Sequence, residues 1–349
     1  MAYPVVTGAV LIEANGAALN NAGQDEGIRA DNAIVVKQVR VGRLRYPYVS
    51  GQAWRRWWRE VLYADFGWRP SQVIRERKSA YTSGDPIQYE EDDIFGYMAA
   101  RKRGQGQGTQ RRISPLKNSL LISVLPNVIE RDFGHFSRNL PPGTDYLLFE
   151  SEHYTTYLQG AFTISLSDVG RFRICEMYDL SEETAAQYAD RLQPVKGFSE
   201  QVGLDQAQRI RRVRETLEAL ARLRGGAHLA RNLSDVAPVA VVVGFLDGGN
   251  APFQKLFRPD QTLERVMLDL DRLRVLIRDY ADRCLSPGPG QAALWVGFLP
   301  GVLANEDEVR RVLQDEPPMG QLVTVAESAS DALLRAADTV EAIYARYIG

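Results

Sequence analysis

Two cysteines and three histidines are the whole supply of thiols and imidazoles in 349 residues. Cys175 and Cys284, and His135, His153 and His228, sit at none of the short spacings that build zinc sites. There is no His-Glu-x-x-His, no Cys-x-x-Cys, no Walker loop and no Gly-x-Ser-x-Gly. That removes the common signatures of zinc hydrolases, dithiol oxidoreductases, P-loop NTPases and α/β-hydrolases. No metal and no cofactor are expected. No apolar run is long enough to cross a bilayer. Met1–Thr7 lacks the basic start and apolar core of a secretory signal. The expectation is a cytoplasmic protein with two reduced, buried thiols and no membrane partner. The run Glu90-Glu91-Asp92-Asp93 reads as a solvated acidic turn, or as a surface touching a neighbour's basic one, rather than as a hard-cation site.

Acidic side chains are also missing where basic ones gather. From Asn32 to Arg59 there are seven Lys or Arg and no Asp or Glu. Residues 1–246 carry 31 basic and 28 acidic side chains, a net of +3, whereas 247–349 carry 11 and 16, a net of -5. The positive charge collects in 37–59, 101–117 and 209–231. This pattern fits a basic groove on a body whose far end is acidic.

Hydrophobic periodicity supplies the elements. Tyr3–Glu13 and Ala33–Val41 read as strands, with a small, polar loop over Asn15–Ala33 between them. Gly51–Phe66 reads as a helix with Trp54, Trp57, Trp58, Val61 and Leu62 on its buried stripe. The tryptophans are expected in the core, not as base-stacking platforms. Trp68–Lys117 has weak periodicity and reads as an insertion. Leu120–Leu125, Ala161–Leu166 and Phe172–Met177 read as strands, the first two joined by a long connection through His135 and Pro141-Pro142. Glu182–Leu192 and Gln206–Arg224 read as helices and Val236–Leu246 as a buried strand. Thr262–Cys284 has the strongest helical spacing in the chain, followed by a strand at Ala292–Phe298 and helices at Asn305–Gln314 and Ala326–Tyr347. The order suits an α+β, ferredoxin-like sheet carrying insertions.

Three elements have the chemistry to hold phosphates. Ser50 and Gly51 open a helix bearing Arg55, Arg56 and Arg59, and a helix N-terminus favours anions. The stretch from Arg101-Lys102-Arg103 through a Gly/Gln run to Arg111-Arg112 and Lys117 is the second. The third is Gly225-Gly226-Ala227-His228-Leu229-Ala230-Arg231-Asn232. There a side chain on Gly226 would block a close backbone approach, unless the glycines merely end a helix. Together they point to single-stranded or A-form RNA held by its backbone. No helix-turn-helix pattern and no RNA-recognition-motif signature is present.

Several motifs in order resemble the DevR-type branch of the CRISPR Cas-seven family, the backbone subunits of type I (I-B) Cascade complexes. They are Ala18-Leu19-Asn20-Asn21-Ala22-Gly23, Val35-Val36-Lys37, Tyr46-Pro47-Tyr48-Val49-Ser50-Gly51-Gln52-Ala53-Trp54-Arg55-Arg56, Asp93-Ile94-Phe95-Gly96-Tyr97-Met98, Asp168-Val169-Gly170-Arg171-Phe172, and Gly225-Gly226-Ala227 with Arg231-Asn232. The resemblance implies a modified RRM or ferredoxin-like palm over 1–349 with finger and thumb insertions. The finger is expected at 67–117, the thumb at 181–208, and an acidic, mostly helical part at 255–349. It also implies a non-catalytic subunit that polymerises head to tail along CRISPR RNA, with copies of itself, other Cascade subunits and, through the guide, target DNA as partners. Each thumb would displace one nucleotide from the guide–target pairing. Asn20, Asn21, Lys37, Ser50, Gly51, Gln52, Arg55, Arg56, Arg59, Gly225, Gly226, Ala227, Arg231 and Asn232 would contact RNA, and Arg101, Lys102, Arg103, Arg111 and Arg112 would form a finger. Two other readings stand beside it. One is a type III-like subunit cutting bound target RNA with Asp25 or Asp31. The other is a transcriptional regulator.

Overall fold

In the computed structural model, which describes residues 3–23, 33–76, 79–100, 109–136 and 139–348, the first strand β1 (Pro4–Ala17) is buried on both faces. Val6, Val10 and Ile12 face one core, and Val5, Ala9 and Leu11 face another. β2 (Asn21–Gly23), β3 (Ala33–Val36), β4 (Gln38–Val41) and β5 (Leu44–Val49) lead to α1 (Gly51–Phe66). The single strand expected over Ala33–Val41 is broken at Lys37. Its N–H donates to Asn20 O at 3.0 Å and its carbonyl accepts from Tyr48 N at 2.9 Å, so the chain bends to serve two partners. α1 has the expected bounds. Ser50 Oγ accepts from Ala53 N, and Gly67 closes the helix in the left-handed conformation that glycine tolerates (φ 69°).

The insertion after α1 is structured. Hairpins β6 (Ile74–Glu76) with β7 (Ser79–Tyr81) and β8 (Tyr97–Ala100) with β9 (Thr109–Arg112) flank α2 (Glu90–Ile94). β10 (Leu116–Asn118), β11 (Leu121–Ser123), β12 (Ile129–Phe136) and β13 (Leu147–Ser165) follow. The expected long connection through His135 is instead β12. It pairs with β13 from Ile129↔Tyr154 to Phe136↔Leu147 and makes an arm exposing Phe133, Tyr146 and Leu148.

β14 (Arg171–Arg173), α3 (Glu182–Gln187), β15 (Gln193–Pro194) and β16 (Gln201–Gly203) build a small module around Ile87, Phe172, Leu180 and Leu204. Then come α4 (Gln206–Ala221), β17 (Pro238–Asp247), β18 (Phe257–Pro259), β19 (Val266–Leu268), α5 (Leu270–Asp279), β20 (Leu294–Phe298), α6 (Glu306–Asp315), α7 (Met319–Leu322), β21 (Val323–Val325) and α8 (Ala329–Tyr347). The helix expected over Thr262–Cys284 is corrected. Asp260 Oδ1 accepts from Thr262 Oγ1 and the N–H groups of Glu264 and Arg265, which forms a turn. β19 then pairs back on β18, and Asp269 caps a shorter helix.

The result is a mixed α+β fold. Its central sheet runs β21-β20-β17-β1-β13-β11-β5-β4, antiparallel along this path except for β20 with β21. α1, α4 and α8 cover one face, and residues from β18 through α7 cover the other over β1, β17 and β20. The C-terminal third is therefore part of the same body, completing the sheet edge and both cores. Double-sided burial explains the unbroken valine run of β17. Among the described residues no helix is long and apolar enough to cross a membrane.

Candidate nucleic-acid interface

The N-terminus of α1 is tied to the end of β1. Asn20 Oδ1 accepts from Ser50 N at 2.9 Å, while Asn20 O accepts from Lys37 N. These bonds fix Asn20, Lys37 and Ser50 in one cluster. Ser50, Gly51 and Gln52 line a groove of about 710 Å³ with Arg55, Arg59, Phe95, Lys117 and Asn118. A Cβ on Gly51 would stand 3.3 Å from Asn118 Nδ2, so the groove wall is close there. The first turn of α1 holds no acid. The N–H groups there that Ser50 does not cap, and the helix dipole, would meet an incoming anion with no acid opposing it.

The three α1 arginines divide. Arg55 Nη1 donates to Leu116 O and Asn118 Oδ1, and Nη2 donates to Phe95 O and Ser114 Oγ, all within 3.0 Å. Arg59 Nε lies 3.0 Å from Glu91 Oε2, and its guanidinium stacks 4.2 Å from the Phe95 ring centre, with Arg55 at 5.0 Å. Both are fixed in the groove wall. Burial, and then the Arg59 charge, pull the Arg55 guanidinium down to about 10. An incoming anion would relieve that repulsion. Arg56 is not among the groove-lining residues; it is exposed and pairs with Glu60 on the same helix. Lys117 stands exposed on the groove.

The loop after α4 docks beside the same cluster. Ala227 N donates to Leu19 O at 3.1 Å, Asn232 Nδ2 donates to Gly16 O at 2.7 Å, and Asn21 Nδ2 lies 2.6 Å from His228 Nε2. His228 Nδ1 in turn lies 3.2 Å from an Arg231 Nη. A ridge thus runs Ser50–Asn20–Leu19–Ala227–His228–Arg231. His228 is the residue that the sequence reading quoted in the loop but did not assign. Its left-handed backbone (φ 56°) aims its ring between Asn21 and Arg231. Gly225 and Gly226 have positive φ, and a Cβ would fall 2.4 Å from Trp57 Cδ1 or 2.7 Å from Leu19 Cδ2. Their missing side chains thus seat the loop on α1 and β1. They do not end a helix either, because α4 stops at Ala221.

Arg112 is corrected from an exposed finger to a buried cation. It pairs with Asp93, and at 2.9 Å with Asp179, with about 2% of its side chain exposed. Burial disfavours its charge, but Asp93 and Asp179 more than reverse that and hold its pKa above the usual arginine value. Asp93 also binds Arg212 Nη1 at 2.5 Å and accepts from Gly170 N. The acidic run is thus no solvated turn: Glu91, Asp92 and Asp93 are buried. Arg111 is exposed and shares the Tyr178 ring with Arg173, at 4.6 and 4.9 Å. A second cleft of about 410 Å³, lined by Arg171, Arg173 and Gln201, shares Ile113, Ser114 and Lys117 with the α1 groove. Arg101, Lys102 and Arg103 lie outside the described residues, as do Asp25 and Asp31.

Among the described residues no three His, Cys, Asp or Glu side chains are grouped to hold a metal. Of the two thiols expected to be buried, Cys175 is exposed and Cys284 half-buried. Burial pushes the Cys284 thiol up to about 11, away from a reactive thiolate. The assembled features are dipoles, amides and cations.

A family model described as "CRISPR-associated negative auto-regulator DevR/Csa2" matches residues 7–260. No curated protein matches. Among solved structures, a chain of a "CRISPR RNA-guided surveillance complex" is similar with a TM-score of 0.52 and 12% identity, over 96% of this chain and 98% of that one. A chain of a "CRISPR RNA-guided surveillance complex, pre-nicking" is similar at 0.54 and 11%, over 95% and 100%. At such identities the likeness is one of fold.

Proposed function

From the premise that this chain belongs to the CRISPR-associated DevR/Csa2 family, we propose that it is the guide-RNA-holding backbone subunit of a type I Cascade-like surveillance complex. The observation that carries the proposal is the Ser50–Asn20–Ala227–Arg231 ridge beside the acid-free start of α1. It places side-chain amides and cations beside the start of α1, the kinds of group that hold phosphates and 2′-hydroxyls without reading bases.

In this reading the strand order β17-β1-β13-β11, with α1 and α4 on one face, is a ferredoxin-like palm. Its other face is covered over β1 and β17, so RNA runs along the ridge and not across the sheet. Copies stack head to tail, the basic body of one meeting the acidic 247–349 surface of the next. Target DNA enters through pairing with the guide, other complex subunits cap the ends, and the subunit itself is non-catalytic and cytoplasmic. Two projections could displace a nucleotide from the guide–target pairing. The β12/β13 arm suits the task better than the 181–208 module, because it projects Phe133, at 77% exposure, with Tyr146 and Leu148.

Co-expression with a repeat–spacer transcript tests the proposal. The expected result is co-purification of the guide and assemblies whose length follows guide length. Free protein, or a closed ring of constant size whatever RNA is supplied, would refute it. The auto-regulator in the family's description favours one other reading, a transcriptional regulator that binds DNA. Tight duplex binding at a defined sequence with no affinity for single-stranded RNA would select it.

A further inference from the structure

The β4/β5 hairpin carries a charge arrangement that the ridge does not use. Gly42, at φ 60°, makes a two-residue turn, and β4 is the edge strand of the sheet. Arg40 and Arg45 are direct cross-strand partners. Directly opposed residues have Cβ atoms about 4.5–5.5 Å apart on one face, and like charges there are destabilising. Arg43 occupies the turn itself. Arg40, Arg43 and Arg45 are all exposed, and among the described residues none has an ion-pair or side-chain hydrogen-bond partner. Other surface arginines of this chain do find carboxylates, as Arg56, Arg211, Arg224 and Arg335 show. Three guanidinium groups on one hairpin, two of them in opposition and none paired among the described residues, form a cationic tip.

The hairpin is also held in place. Near the turn it is held where Asn127 Oδ1 accepts from Arg45 N at 2.9 Å and Asn127 N donates to Arg45 O at 2.7 Å. Lys37 joins it to Asn20, and β5 runs straight into Ser50. At about 3.3 Å per residue, the tip stands roughly 17 Å beyond Lys37. It is a rigid outrigger extending the candidate interface along the sheet edge.

We propose that the Arg40/Arg43/Arg45 tip is a second phosphodiester-binding element, holding guide-RNA phosphates adjacent to those at the Ser50–Asn20 ridge. It rests on the RNA-holding reading of that ridge. Planar guanidinium forks bind phosphate oxygens in pairs, and an anion between Arg40 and Arg45 removes their repulsion. A phosphodiester strand supplies such anions at regular spacing.

The test uses the full chain and a fluorescent single-stranded RNA of guide length across a salt series. Arg40→Gln with Arg45→Gln should lower the slope of log K against log salt by about 1.4, roughly 0.7 per lost phosphate contact. The nuclease-protected footprint should shorten at one end. The melting temperature should stay level or rise, since opposed charges are removed. Arg40→Lys with Arg45→Lys should restore most of the slope but less of the affinity. An unchanged slope and footprint, with wild-type protein binding RNA normally, overturns the inference and leaves the ridge reading standing. Normal RNA binding with lost assembly would instead put the tip against a neighbour's carboxylates and overturn it too. If wild-type protein binds no RNA, the reading beneath it fails, and the inference falls with that reading.

Discussion

Asp93 is a carboxylate on which two buried arginines converge. It is fully buried, binds Arg112 and Arg212 with its two oxygens, and accepts from Gly170 N. It thereby joins α2 of the insertion, β9, the Asp168–Gly170 turn and α4. Asp93→Ala strands the two arginines unequally. Arg112 keeps Asp179 at 2.9 Å and the carbonyls of Arg171 and Asp168. Arg212 keeps only the carbonyls of Pro86 and Ile87, and its Nε already lacks a partner. Removing one partner of a buried pair costs about 3–5 kcal/mol, because the remaining charge is left uncompensated. Arg112's surviving pair keeps the total within that range and not at twice it. One kcal/mol shifts the melting temperature by roughly 2–4 °C at 150–250 residues and by less in a longer chain, so about 5–10 °C is expected. Thermal unfolding gives the first number. Pairing Asp93→Ala with Arg212→Met in a double-mutant cycle gives the second, since the double variant should recover part of the loss. A loss below about 1 kcal/mol, or strict additivity, would refute the view of Asp93 as the clasp between insertion and palm.

Other perturbations separate packing from binding. Lys117→Gln should lower the RNA salt slope by about 0.7, whereas Arg56→Gln, off the groove and paired with Glu60, should leave it unchanged; titrations across a salt series read both. Gly225→Ala forces a Cβ to 2.4 Å from Trp57 at a φ of 151° and should cost about 1–3 kcal/mol in denaturant unfolding, with RNA affinity falling only as the loop loosens. Trp58→Ala should cost about 3–5 kcal/mol by the same measurement, because Trp58 stacks on Trp54 and donates to Thr216 O at 2.7 Å. Burial raises the Asp92 carboxyl. A carboxyl raised in the folded state favours folding while protonated, and that contribution is lost as pH climbs through the folded value. Asp92→Asn should therefore gain stability relative to wild type from acid toward neutral pH, and melting temperatures showing the reverse trend would refute the assignment.

Legibility in the sequence followed burial. α1 was read to its ends because a tryptophan stripe, a Ser50 cap and a Gly67 stop agree. β17 was recognisable as a run buried on both faces. The β12/β13 arm was missed because much of it projects into solvent, so no apolar alternation marks it. Leucines at helical spacing across 262–284 hid a hairpin, since Asp260 and Asp269 dictate a turn and a restart that spacing does not register. At the interface, Asn20, Ser50 and Ala227 were named from motifs, and their assembly into one ridge depends on contacts between residues far apart in sequence. Arg112 was misread for the same reason: its partner Asp93 is 19 positions away, and each looked like surface charge alone.

The coverage of the sheet bears on what any bound nucleic acid can experience. RNA-recognition sheets read bases by stacking them on exposed strand aromatics. Here β1 and β17 are buried on both faces, and the one aromatic of β17, Phe245, packs edge-on against Trp295 in the core. The exposed polar groups near the ridge include Gln52, Lys117, Arg231 and the arginine tip of β4 and β5. Such groups bind the sugar–phosphate chain and are blind to sequence. A regulator needs the opposite, an element that enters a groove and meets base edges. If the ridge holds RNA, its affinity should therefore hardly change when guide sequence is scrambled at constant length. Discrimination among targets would then come only from base pairing along the held strand. Strong dependence of binding on base sequence in an unstructured guide would contradict this view of the ridge, whatever the family to which the chain belongs.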